Sequence, residues 1–396
     1  MELKRSLGLV SLTLYGVGVT LGAGIYVLIG ETAATAGTLA PVSFLIALVA
    51  ALLSGLSFAE LAGRYPMSAG EAVYVQEAFG KPWFSQIVGA AVVFTGLFSS
   101  ATVLQGFSGY AVALVGLPAW ALIIMAALLL TGLALWGVKE SVWAAAGVTI
   151  FEAGGLLVII ALAAPQAMES PAEFVAVANP ALGVMAGAAI AFFAFIGFED
   201  IVNMSEETRE PTRTVPRAIL ATMVITGLIY MAIAWVAVTA VSPTDLAAAT
   251  DPMAEILRQT GHPGDEAISI IAVVAILNGA LINMLMASRV LYGMAKKGLA
   301  PAILGQVNTA RKTPHVATLL VTAFVLTLAL LVPLSGLARA TSFLTLCVFL
   351  LINLSLIVLR RKHEALFDVP IFKAPVWTPY LGVVTAGLLA LSALMG

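Results

Sequence analysis

Along the chain, long apolar stretches alternate with short polar segments, and the stretches are far longer than a strand or helix of a soluble core requires. About 20 apolar residues match a ~30 Å hydrocarbon core at 1.5 Å per helical residue. Eleven such spans are read from the pattern, at 6–35, 40–63, 83–110, 119–138, 143–164, 181–204, 216–241, 266–293, 314–333, 337–359 and 375–395. Prolines stand near many of their ends, among them Pro41, Pro82, Pro118, Pro165, Pro180, Pro216, Pro314 and Pro375, as expected where helices start and stop. Lys4 and Arg5 before the first span resemble the start of a secretory signal, but the span is too long for one and more follow. The predicted fold class is an all-α polytopic membrane protein of about 11 transmembrane helices.

Composition agrees with that pattern. Of 396 residues, 61% are hydrophobic and 10% charged, against ~45–50% and ~25% in a soluble domain. The net charge of −2 carries no basic excess for nucleic acid. Cys347 is the single cysteine, which excludes an internal disulfide; within an apolar span it reads as a small buried hydrophobe. His262, His315 and His363 all fall in polar connecting segments. Neither a histidine-based metal site nor a Ser-His-Asp triad can then be built in the apolar part, so no cofactor and no enzyme chemistry is expected.

Positive charge sets the expected orientation. With a cytoplasmic N-terminus, seventeen of the 19 Lys and Arg residues fall on the inside, and only Arg258 and Arg339 fall outside. A missed or extra span in the middle would destroy this asymmetry. The expectation is a multi-pass protein of the cell membrane with its C-terminus outside, its basic residues beyond the spans and the lipid bilayer as its solvent.

Two spans look interrupted. The first contains Gly16, Gly18, Gly22 and Gly24, although each glycine costs a helix ~1 kcal/mol relative to alanine. Close packing through a Gly18–Gly22 pair would also account for part of this. The sixth span reads Phe193-Ala-Phe195-Ile-Gly197-Phe-Glu199-Asp200. Gly22 lies 16 residues after Ser6, and Gly197 lies 16 residues after Ala181, with the membrane crossed in the opposite sense. Breaks at matching depths five spans apart predict an inverted repeat, residues 1–164 against 181–359, with 375–395 as one extra helix in a single transport domain. Unwound backbone at that depth is tolerable only beside protein or a water-filled cavity. A half-helix N-terminus there offers amides to an anion, and the facing carbonyls accept from an ammonium, which suits a zwitterion.

At these residues the chain resembles the amino acid–polyamine–organocation (APC) superfamily, with its LeuT-type fold of five plus five inverted helices. The resemblance rests on Gly22-Ala-Gly24-Ile25; Phe58-Ala-Glu60-Leu with Tyr65-Pro-Met-Ser68-Ala-Gly70; Phe195-Ile-Gly197-Phe-Glu199; Glu206 to Arg217; and Ser288-Arg-Val-Leu-Tyr292. It covers nearly the whole chain. It implies that a substrate carboxylate meets the amides of Gly22, Ala23 and Gly24, beside Ile25. The substrate amine would meet carbonyls near Val19, Phe193, Ala194 and Ile196 beside Gly197, with Phe193 as an aromatic gate. Packing against lipid or a neighbouring helix is the competing role for Phe193.

Carboxylates inside spans are costly and mark candidate sites. Glu60 has Arg64 four residues on, an ordinary helical pair. Glu152 lies 9 residues into its span from Trp143, ~13.5 Å and close to the midplane. It is the expected proton carrier, standing where relatives often have a lysine. The alternative is a permanently protonated acid bonded to a helix carbonyl or to Asn278. Glu199 and Asp200 follow the second break and fit either a cationic substrate or solvated charges at the cytoplasmic mouth. Asn278 and Asn283 line the coupling site or hold helices together. The expected function is proton-coupled, alternating-access transport of an amino acid. A carrier of cationic amino acids or polyamines is the second reading, and a channel or membrane enzyme a remote one.

Overall fold

The computed structural model describes residues 5, 7–22, 24–67, 70–136, 142–169, 172–175, 177–296, 298, 300–308, 311, 313–362 and 371–395. Among them every regular element is helical, and extended pairing is limited to one bridge between Leu7 and Thr208. The first span is split into α1 (Leu9–Leu21) and α2 (Gly24–Ala36), and α3 (Ala40–Arg64) follows. A short helix α4 (Gly70–Phe79) precedes α5 (Pro82–Val115), α6 (Ala119–Trp136) and α7 (Val142–Glu169). The sixth span is α8 (Pro180–Ala191) with 3-10 segments at Phe192–Phe195 and Phe198–Glu207. Next come α9 (Pro211–Ala240), the short α10 (Pro243–Ala248) and α11 (Pro252–Gln259), then α12 (Asp265–Lys296), α13 (His315–Leu331), α14 (Leu334–Lys362) and α15 (Thr378–Met395).

All eleven apolar spans are present, and several helices outrun them. α12 continues to Lys296 and α14 to Lys362, because a helix need not stop where the hydrocarbon stops. α7 runs on through Pro165, and α9 begins at Pro211 rather than at Pro216. Each internal proline forfeits one backbone bond, and the rest of the helix tolerates it. The prolines mark helix ends less sharply than their positions in the sequence predict.

The two interrupted helices pass through the middle of the bundle, packed among α3, α5, α7, α9 and α14. The outer helices carry the lipid-facing surface, with Trp120, Leu128 and Leu129 on α6, Phe324 and Leu331 on α13, and Leu388 and Leu391 on α15 all exposed. This is the expected inversion for a chain dissolved in lipid, where apolar side chains face outward as well as inward. Cys347 is only half-buried on α14, less enclosed than its apolar setting predicts.

A buried ion cluster fastens the end of α3. Glu60, wholly enclosed, accepts from Arg64 and from Arg360 of α14, and also from the Ala374 amide at 2.8 Å. Arg360 donates in turn to the Ala374 carbonyl at 2.7 Å. Glu60 therefore joins three segments, and its helical pairing with Arg64 is one contact of several.

Candidate functional site

The first span breaks where its glycines predict. Gly22 leaves the helical region at φ −18° and ψ −102°, and α2 restarts at Gly24. Ala23, between them, lies outside the described residues. In the sixth span, Ile196 is extended and Gly197 adopts φ +122°, a conformation that essentially only glycine reaches. The amide freed at Gly197 donates to Glu199 Oε2 at 2.8 Å. Glu199 thus caps the second break with its own carboxylate.

The breaks lie against each other, and glycine makes this possible. A Cβ on Gly24 would stand 2.4 Å from the Ala194 Cα, and one on Gly197 would stand 3.0 Å from the Val19 carbonyl oxygen. Tyr230 of α9 reaches both, its hydroxyl 2.6 Å from the Thr20 carbonyl and 2.9 Å from that of Ala194.

A cavity of about 380 Å³ lies beside the paired breaks. Val19, Gly24, Phe193, Ile196, Gly197, Glu199 and Asp200 line it, so most of the expected binding residues are brought together. The first amides of α2 have no acceptor within their own helix, and Gly24 on the wall places them beside the cavity. Three expected residues stand behind the wall. Gly22 donates its amide to the Gly18 carbonyl at 3.1 Å, Ile25 is fully buried, and the Ala194 carbonyl is taken by Tyr230. In this conformation, the amides beside the cavity begin at α2 itself.

The far wall lies mostly outside the residues expected from the sequence. Thr95, Ser99 and Val103 of α5, Ile282 and Met286 of α12, and Thr345 and Phe349 of α14 complete the lining, with an apolar surface at the level of the breaks. Asn283 lines it and donates to Ser99 Oγ at 3.0 Å. Asn278, half-buried five residues earlier and so on another face of α12, does not line it. Small polar residues one turn apart, Thr95 and Ser99, were the available signal on α5.

Glu152 is wholly enclosed on α7 and does not line the cavity. Neither carboxyl oxygen has a hydrogen-bond partner among the described residues, so the bond to Asn278 is not formed. Its backbone carbonyl accepts from the Tyr26 hydroxyl at 2.9 Å. One turn earlier, Thr149 packs into the space left by Gly18 and donates to the Leu14 carbonyl at 3.2 Å, which holds α7 against α1.

The cavity opens towards the end of the bundle where α1 begins, past Glu71 of α4, Asn203, Met204 and Arg289. Arg289 corrects the expectation that basic residues stand beyond the spans, since it lies within α12 and lines the mouth. Burial, and then the negative charge of Asp200, push the Glu71 carboxyl up to about 7. The opposite side is sealed by α11, whose Pro252 to Leu257 segment is almost entirely buried. There the Tyr110 hydroxyl donates to the Tyr26 carbonyl at 2.8 Å and accepts the Met253 amide at 3.3 Å.

Comparison with known proteins agrees with this geometry. Residues 7–395 match the family model described as amino acid permease. The branched-chain amino acid permease BcaP of Bacillus subtilis is 31% identical, covering 94% of this chain and 84% of its own length. The methylthioribose transporter of the same organism is 28% identical over 98% of this chain and 87% of its own. The vacuolar cationic amino acid transporter 2 of Arabidopsis thaliana is 31% identical over 91% of this chain and 60% of its own. A match across almost the whole chain shows that this membrane protein belongs to the amino acid permease family.

Proposed function

We propose that the protein is a secondary active transporter of neutral, apolar amino acids, working by alternating access between two inverted five-span halves and coupled to protons through Glu152. The observation that carries the reading is the cavity itself. It joins free amides at the start of α2 to an apolar wall of Val103, Ile282, Met286 and Phe349, and its mouth lies beside Glu71 and Arg289. The amides suit a carboxylate, the break carbonyls suit an ammonium, and the wall suits an aliphatic side chain. The side of the opening is taken as cytoplasmic from the distribution of Lys and Arg.

Glu152 supports the coupling role because a buried carboxyl without a partner is stable only while it holds a proton. Enclosed in this inward-open state, it releases that proton only when the helices around it move. Such a sealed position is what alternating access requires of a coupling group.

Uptake into proteoliposomes under an imposed proton gradient tests the proposal. Leucine and valine are expected to accumulate more with the lumen alkaline, and Glu152→Gln is expected to abolish accumulation while still exchanging substrate. Unchanged accumulation and pH dependence in Glu152→Gln would overturn the coupling role. The second reading, a cationic amino acid or polyamine carrier, rests on Glu71, Glu199 and Asp200 at the mouth. Preference for arginine or putrescine over leucine, lost in Asp200→Asn, would favour it, and methylthioribose serves as the ligand outside both classes.

A further inference from the structure

α14 has two working faces. At about 100° per residue, Thr345, Val348 and Phe349 point into the central cavity, and Gly336, Ala340 and Phe343 fall on the opposite side of the helix. On that opposite side lies a second cavity of about 390 Å³, bounded by Phe98 of α5 and by Leu394 near the end of α15. It faces away from the transport route and towards the bilayer.

The lining is apolar except for Arg339. Arg339 stands five residues after Leu334, the first residue of α14, and Leu344 stands ten after it. At 1.5 Å per residue these depths are ~7.5 and ~15 Å from the end of the helix. A cation at the rim with an apolar wall running deeper matches a phospholipid, whose phosphate sits above its acyl chains.

The state of the guanidinium supports this. Arg339 Nε is buried and has no hydrogen-bond partner among the described residues. Glu31 of α2 feels the charge of Arg339, but no ion pair closes between them. Arg258, which lies on the same side of the molecule, is instead tied to Asp251, Glu255 and Asp265. A partly buried guanidinium that closes no ion pair is costly, and phosphate is the acceptor its planar fork fits best. We propose that this groove binds an anionic phospholipid, with the phosphate on Arg339 and one acyl chain along Ala340, Phe343 and Leu344.

Thermal unfolding of the purified, delipidated full chain in detergent tests the site, because a ligand that binds the folded state raises its midpoint. Phosphatidylglycerol, phosphatidylcholine and inorganic phosphate are added separately at equal phosphate concentration. Phosphatidylglycerol is expected to raise the midpoint by about 3 °C or more, phosphatidylcholine by less, and inorganic phosphate not at all. Arg339→Gln should lose most of the shift. Ala340→Leu, which fills the groove and keeps the charge, should lose it too, so the test does not depend on one variant folding. Native mass spectrometry should find one retained phosphatidylglycerol on the wild type that both variants lack. An equal shift in Arg339→Gln, or an equal shift with phosphatidylcholine or free phosphate, would overturn the proposal, whatever the transport assays show.

Discussion

The hydroxyl of Tyr230 stands 2.6 Å from the carbonyl oxygen of Thr20, on the last turn before the first break, and 2.9 Å from that of Ala194 beside the second. One phenol carries one proton, so it serves two carbonyls that the broken helices cannot satisfy themselves. Tyr230 thereby ties the interrupted helices to each other. Its ring packs edge-on against Phe195 and Phe44, with centroids 5.1 and 6.3 Å away.

Tyr230→Phe should keep that packing and lose the tie. Leaving a buried carbonyl short of a donor costs ~1–3 kcal/mol, and the breaks should lose their fixed spacing. The expected result is a lower unfolding midpoint with a KM for uptake raised about 3- to 10-fold, a loss of roughly 1 kcal/mol in binding. Uptake kinetics beside a thermal melt measure both, and an unchanged KM would count against the tie.

Gly24→Ala and Gly197→Ala should each abolish transport in protein that still reaches the membrane. At Gly24 the added methyl meets backbone, which cannot turn aside, and at Gly197 the φ of +122° adds strain to a clash with Val19. Gly132→Ala, whose Cβ meets nothing, is the control and should transport normally. Substrate uptake normalised to the amount of protein in the membrane decides the comparison.

The breaks were legible in the sequence because glycine leaves a mark there. At Gly22 and Gly197 the backbone needs freedom that helix propensity opposes, so the residue type announces the geometry. The cavity wall left no such mark. Asn278 and Asn283 look alike in an apolar span, and only the rotation of α12 decides that Asn283 meets Ser99. Glu60 shows the same limit. Arg64 is visible four residues away, but Arg360 and Ala374 come from segments three hundred residues along the chain. α4 and α11 went unread because windows sized for a bilayer pass over helices of 10 and 8 residues. One supplies Glu71 to the mouth, and the other seals the opposite side.

The Glu60 cluster should be needed for stability, not for recognition. Glu60→Ala leaves Arg64 and Arg360 facing each other in a buried place, and breaking a buried pair from one side costs about 3–5 kcal/mol. A large drop in unfolding midpoint is expected, with the KM of any surviving protein near normal. A raised KM at an unchanged midpoint would instead place Glu60 in the transport cycle.

Glu71 should make the fold sensitive to pH. Its carboxyl, ordinarily near 4.5, is pushed up to about 7 by burial and by Asp200, so the folded protein holds a proton there that the unfolded chain releases. The folded state binds more protons between these values, and its stability falls as pH rises from about 4.5 to about 7, then levels off. Removing the charge should remove the effect. Glu71→Gln is expected to raise the unfolding midpoint at pH 7.5, match the wild type near pH 4.5 and flatten the profile between them. Thermal melts at four or five pH values read this directly. A variant profile with the same slope as the wild type would mean that another group, and not Glu71, carries the proton.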